Sequence, residues 1–144
     1  MEKERKRAAD RGYPSPIYPD KPATDACFDG AVSLCLNNLD VVSFCMASHN
    51  ETSNLLLTRQ MEEMNLPFAH IGVSTAQLLG MSDNISFAMA HAGFNVAKYV
   101  PYGRVRTVIP YLLRRAAANT SVAGQTGREL AMIKTERARR KHLK

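Results

Sequence analysis

Apolar and polar positions alternate along this chain in two periods, one close to helical spacing and one in short β-branched runs, and the two take turns. Residues 2–11 are almost wholly charged and predict a polar helix. Tyr13–Pro22 holds four prolines, which disfavour helix and predict an ordered loop. Ala23–Leu36 has apolar residues at near-helical spacing, with Asp25 suited to its first turn. Leu39–Ala47 (LDVVSFCMA) predicts a short buried strand, and Glu51–Met64 a helix capped by Ser48 or Asn50. After the loop NLP, Phe68–Ser74 predicts a second strand and Asp83–Ala92 a helix terminated by Gly93. Phe94–Val100 predicts a third strand followed by the turn PYG. Val105–Asn119 predicts a helix kinked or broken at Pro110, and Gly127–His142 a final polar helix.

Three strand–helix pairs in succession imply a parallel α/β arrangement. That pattern fits a doubly wound sheet or a piece of a (βα)₈ barrel. The polar residues favour the barrel, because barrel chemistry sits at the C-terminal ends of the strands. Ser48, His49 and Asn50 follow the first predicted strand. Gln77, Leu78 and Gly80 follow the second, and Tyr99 lies near the end of the third. A lone histidine at a strand end is more often structural than chemical, so His49 is a candidate and no more at this point.

The stretch YVPYGRVRTVIPYLLRRAAAN at Tyr99–Asn119 carries the strongest chemical pattern. Tyr111 precedes Arg114 and Arg115 by three and four residues, a spacing that places side chains on one helix face. Two forked guanidinium groups beside a phenol match a small carboxylate. On spacing alone a solvated basic patch explains the same residues.

Composition narrows the class. A chain of 144 residues with 45% hydrophobic and 22% charged residues suits one globular domain. No apolar run approaches the roughly 20 residues of a membrane-spanning helix. The start MEKERKR lacks the apolar stretch of a signal peptide, and its acids set it apart from a transit peptide. Cys27, Cys35 and Cys45 show no metal-ligand spacing and read as buried free thiols of a reducing compartment, so no metal is expected. The net charge of +6 is concentrated at the ends. Residues 128–144 carry seven bases and two acids, whereas 13–127 carry seven bases and eight acids. A near-neutral body argues against a nucleic-acid-binding core. The basic C-terminal segment 128–144 could touch phosphate or an anionic membrane surface, and more commonly such a run is a solvated helix end.

Five segments, in order, resemble the C-terminal part of the proline dehydrogenase family of flavoenzymes. They are RGYPSPIYP at Arg11–Pro19, MASHNE at Met46–Glu51, QLLGMSDNISF at Gln77–Phe87, AGFNVAKYVPYG at Ala92–Gly103 and IPYLLRRAAANTSV at Ile109–Val122. The resemblance implies the last three βα units, strands six to eight, and the final helix of a distorted (βα)₈ barrel across whose strand ends FAD lies. Residues 1–144 then form one partial catalytic domain. The family's flavin-contacting segment around strand five, its substrate-binding lysine and an aspartate near the proline ring belong upstream of this stretch.

Roles carry over where residues match. By resemblance Arg114 and Arg115 grip the proline carboxylate, Tyr111 lines that pocket, Tyr99 and Leu78 pack against the proline ring, and Ser48 and His49 contact FAD. Tyr99 favours proline, since hydroxyproline-acting relatives tend to carry a smaller residue there. One position departs from the pattern: the family's RRxxEN reads RRAAAN here, with Ala118 where the acid stands, which removes a carboxylate partner for the arginines. The resemblance implies oxidation of L-proline to 1-pyrroline-5-carboxylate, with electrons passed to a quinone or other acceptor and possible peripheral membrane contact. The VPYG and ASHN forms resemble the eukaryotic branch and imply a mitochondrial protein. A non-catalytic module of the same fold and a basic-tailed nucleic-acid binder are the competing readings. Three parallel strands alone leave two unpaired edges. Residues 1–144 expressed in isolation are therefore expected to aggregate or fold only in part, without flavin affinity. A soluble yellow monomer bleached by proline would overturn this.

Overall fold

Strands β1 (Phe44–Ala47), β2 (Val73–Leu78) and β3 (Val96–Tyr99) lie side by side in chain order, and both pairings are parallel. The computed structural model describes residues 1–120, 130–132, 134, 135, 137, 138 and 141. The helices are α1 (Glu2–Arg11), α2 (Lys21–Leu36), α3 (Glu51–Glu63), α4 (Asp83–His91) and α5 (Val105–Thr120). A strand–helix–strand crossover through α3 joins β1 to β2, and one through α4 joins β2 to β3, as parallel pairing requires. This is the predicted α/β arrangement of successive βα units.

Register divides the sheet into two unlike faces. Phe44 pairs with Val73, Met46 with Thr75, and Thr75 with Val96, so these side chains point one way. Phe44, Met46, Val73 and Val96 meet Leu57 and Met61 of α3, Ile85 and Met89 of α4, and Val32 and Leu36 of α2 in a single buried cluster. On the opposite face Cys45, Ala47, Ala97 and Tyr99 are exposed, Ser74 and Ala76 half-buried, and Leu78 buried. The helices that build the core therefore cover one face only.

Several predicted boundaries need correction. The first strand begins at Phe44, not Leu39. Asn38 bonds back to the Leu34 carbonyl, and its own carbonyl accepts the amides of Val41 and Val42, which closes a turn in place of a strand. Val41 is 78% exposed despite its β-branched side chain. The second strand lies at Val73–Leu78, not Phe68–Ser74. Pro67 and His70 each accept an amide three residues on, so 67–72 turns, and Phe68 stacks on Phe94 at 4.3 Å. The third strand starts two residues late, because the Asn95 side chain donates to the His70 and Val73 carbonyls.

Helix α2 begins earlier than predicted, with Asp20 accepting the Ala23 amide and Pro22 in the first turn, where its missing N–H is harmless. Asn50 caps α3 by accepting the Thr52 amide at 3.0 Å, while the Ser48 hydroxyl accepts the Asn50 amide. Helix α4 ends at His91, and Gly93 takes φ 96° just beyond, as a left-handed terminator should. Helix α5 runs through Pro110 without a break. Pro110 lies early in the helix, so the single bond it forfeits is to Arg106, in the first turn. The cysteines are free but not buried as expected: Cys27 and Cys45 are exposed and Cys35 is half-buried. Cys45 sits on the uncovered sheet face, where an apolar run brings no burial. Half of the predicted Gly127–His142 helix falls outside the described residues; those described within it are helical.

Leu57 and Met61 are both fully buried. Either residue changed to alanine in the native polypeptide should lower the unfolding free energy by about 2–5 kcal/mol in denaturant titration. Val41→Ala should change it by less than about 0.5 kcal/mol, a value that a core-strand valine would exceed.

Candidate functional site

The C-terminal ends of the three strands stand level, because Ala47 pairs with Ala76 and Leu78 with Tyr99. His49 follows β1 and reaches across β2. Its Nδ1 lies 2.8 Å from the Ser82 hydroxyl, and its Nε2 accepts the Leu78 backbone amide at 3.4 Å. A nitrogen that accepts an N–H is bare, so the neutral ring carries its proton on Nδ1 and donates it to Ser82. The histidine thereby ties the end of β1 to the end of β2 and to the start of α4.

A buried polar network holds the same corner. Gln77 is buried within β2; its Nε2 donates to the Ser48 carbonyl at 3.3 Å, and its Oε1 accepts the Ser86 hydroxyl at 2.8 Å. The Asn54 amide also donates to the Ser48 carbonyl. Each bond made in this low-dielectric corner raises the cost of moving any one member. On the β3 side Lys98 donates to the Met81 carbonyl and pairs with Asp83, both at 2.8 Å. Lys98 thus pins the 79–83 loop, while its neighbour Tyr99 points to the opposite face.

Helix α5 supplies the other wall. The rings of Tyr99 and Tyr111 meet edge-to-face at 6.2 Å, and the Arg115 guanidinium carbon sits 5.8 Å from the Tyr111 ring centroid. Both contacts are of the kind that favours aromatic quadrupoles. Together with Ala47, Ala76, Gln77, Met81, Leu78 and His49 they line a partly open cavity of about 230 Å³. That volume suits a ligand smaller than the drug-sized molecules of most pockets.

Five of the seven predicted site residues are brought together: Leu78, Tyr99, Tyr111, Arg115 and His49. Arg114 is exposed and does not line the cavity, since consecutive helix residues point about 100° apart. Ser48 is half-buried and holds the loop through its hydroxyl and carbonyl without reaching the cavity. The Ala118 side chain lies outside the described residues. Met81 and Ser82 are the residues that sequence reasoning missed. Ser82 precedes a helix and reads as a cap, yet its side chain caps nothing and its φ of 50° is left-handed. Such a backbone costs a non-glycine residue on the order of 1 kcal/mol. Among the described residues no cluster of metal-ligating side chains occurs, and no helix is long and apolar enough to cross a membrane.

The parallel βα units have counterparts among known proteins. The family model for proline dehydrogenase matches residues 1–128, and the chain belongs to the proline dehydrogenase family. It is 43% identical over 143 residues to human proline dehydrogenase 1, mitochondrial, covering 97% of this chain and 24% of that protein. It is 38% identical over 144 residues to the hydroxyproline dehydrogenase of Xenopus laevis, covering 97% of this chain and 31% of the relative. Among solved structures it resembles proline utilization A from Bdellovibrio bacteriovorus inactivated by N-propargylglycine, with a TM-score of 0.76 and 28% identity over 85% of this chain and 12% of the other. The chain thus spans about a quarter to a third of the curated relatives it matches. Family membership implies a flavin cofactor in general.

Lys98→Met should loosen the 79–83 loop by about 1 kcal/mol, a value discounted because Asp83 is largely exposed. Hydrogen exchange of the loop amides should speed up roughly fivefold; unchanged protection would show that the lysine does not hold the loop.

Proposed function

We propose that the polypeptide carrying this chain is an FAD-dependent proline dehydrogenase, that residues 1–144 form the last three βα units of its barrel, and that the cavity at the strand ends is the proline side of the active site. The observation that supports this best is the convergence of Arg115, Tyr111, Tyr99, Leu78 and His49 from four separate segments on one small cavity. Arg115 pairs with the proline carboxylate, with Arg114 adding charge from the rim. Leu78 and the Tyr99 ring flank the apolar pyrrolidine, and Tyr111 orients both the arginine and Tyr99. The reaction removes two electrons and two protons from the ring C–N bond of L-proline, giving 1-pyrroline-5-carboxylate.

The residues present fit a flavin. On the uncovered face the strands carry the small side chains Ala47, Ala76 and Ala97 beside the larger Leu78 and Tyr99, and the alanines leave a planar system room to approach the backbone. His49 and the Ser48 loop would border it. When bound, the flavin supplies the two-electron acceptor; the protein groups bind, orient and exclude water. Electrons then pass to a quinone or a comparable acceptor at a membrane, and the intact protein resides in mitochondria, as the names of several relatives indicate for those proteins. Both proline and hydroxyproline dehydrogenases are among the relatives, and Tyr99 favours the unsubstituted ring by filling the space a hydroxyl would need.

Arg115→Met in the native polypeptide should raise KM for proline roughly ten- to hundredfold, since a charged contact of this kind is worth on the order of 1.5–3 kcal/mol. Arg114→Met should raise it less. Equal effects would place both guanidinium groups on the carboxylate, and unchanged kinetics in both would end the carboxylate assignment. His49→Ala should weaken flavin retention, read as loss of flavin absorbance on gel filtration. Full flavin loading with normal turnover would make His49 purely structural.

A further inference from the structure

We infer that Ser82 is a positioning residue for His49: its hydroxyl fixes the imidazole in one tautomer and one orientation at the edge of the cavity. The inference rests on the flavin-side role of His49 proposed above. Three observations converge on it. Ser82 is buried, 2% exposed, so its hydroxyl needs a partner inside the protein, and His49 Nδ1 at 2.8 Å is that partner. Ser82 holds φ 50°, ψ 43°, a conformation that glycine adopts freely and serine only under strain. Relative to glycine the serine adds a CH₂OH group, whose one polar atom is the hydroxyl that meets His49.

The third observation removes the ordinary explanation. Serine before a helix usually caps it by accepting an amide of the first turn. Here the Ser82 side chain makes no such bond. The Ser82 carbonyl alone starts α4, accepting the amides of Ile85 and Ser86 at 3.1 Å and the Ser86 hydroxyl at 3.2 Å. The left-handed backbone turns the hydroxyl away from the helix and toward the histidine. With Leu78 N–H donating to Nε2, the ring is gripped at both nitrogens, and the Nδ1–H form is the neutral tautomer that satisfies both contacts. The loop carrying Ser82 is in turn held by Lys98 through Met81 and Asp83, so the support extends back to β3.

The test uses Ser82→Gly and Ser82→Ala in the native polypeptide. Ser82→Gly removes the hydroxyl and relieves the backbone, so it folds and should melt at or above the wild-type temperature. Two readouts follow: ¹⁵N NMR of labelled histidine, with His49 assigned by its loss in His49→Ala, and the dissociation constant for FAD. The expected result is a single Nδ1–H pattern in the wild type, an averaged pattern in both variants, and flavin affinity weakened roughly three- to tenfold. In a His49→Ala background the same Ser82→Gly change should alter flavin affinity less than about 1.5-fold. An unchanged tautomer pattern in Ser82→Gly overturns the inference, as does unchanged flavin affinity or a loss that persists in full without His49. A wild-type protein that binds no flavin defeats the function proposed above, and the tautomer pattern then decides alone whether Ser82 holds the ring.

Discussion

Leu78 pairs with Tyr99 and Ala47 with Ala76 across two parallel ladders, and that register places the three strand ends at one height. Parallel strands fix which end of each strand points the same way, so the loops that follow them share one rim. His49, Leu78, Met81 and Tyr99 come to one cavity because their strands end at that rim. A slip of one residue would swap the faces of a strand. Tyr99 would then turn into the helix layer and Lys98 onto the open face, and both the cavity wall and the loop anchor would be lost together.

The sheet is also asymmetric in a way that serves the site. Its helix-facing side packs Met46, Val73 and Val96 against α2, α3 and α4 and supplies the hydrophobic stabilisation. Its other side carries small residues near the rim and two larger ones, Leu78 and Tyr99, that line the cavity. Stability and chemistry are thus assigned to alternate residues of the same strands. The chain spans only part of the length of its relatives, and the open face is the side on which a closed barrel would bury those residues.

Much of this was legible in the residues themselves. The order of elements followed from periodicity, the start of α3 from Asn50 and the end of α4 from Gly93, whose side chain or backbone freedom acts locally. Asp20, which starts α2 before Ala23, stands outside the pattern, which points to Asp25 instead. Strand limits were less legible. Val41, Val42 and Ile71 have the composition of strand residues, but the carbonyls of Asn38 and His70 capture nearby amides and turn the chain, which composition does not report. Within the site, Tyr111 and Arg115 could be paired from helical spacing, whereas Arg114 shares the motif and not the direction. Ser82 was hidden for a different reason: its role depends on a left-handed backbone and on a histidine 33 residues away, and neither leaves a mark on the local pattern.

The stacking of Arg115 on Tyr111 has a consequence for binding thermodynamics. An arginine free in solvent surrenders on the order of 2 kcal/mol of rotamer entropy when it closes on a ligand. Here the guanidinium already rests over the phenol, 5.8 Å from its centroid, on a helix whose backbone is fixed. Much of that ordering is complete before an anion arrives. With the entropy loss reduced in this way, the carboxylate capture proposed for Arg115 would draw its free energy mainly from the heat of the charged contact. A small ligand with few atoms to contribute can then be held by a single guanidinium group.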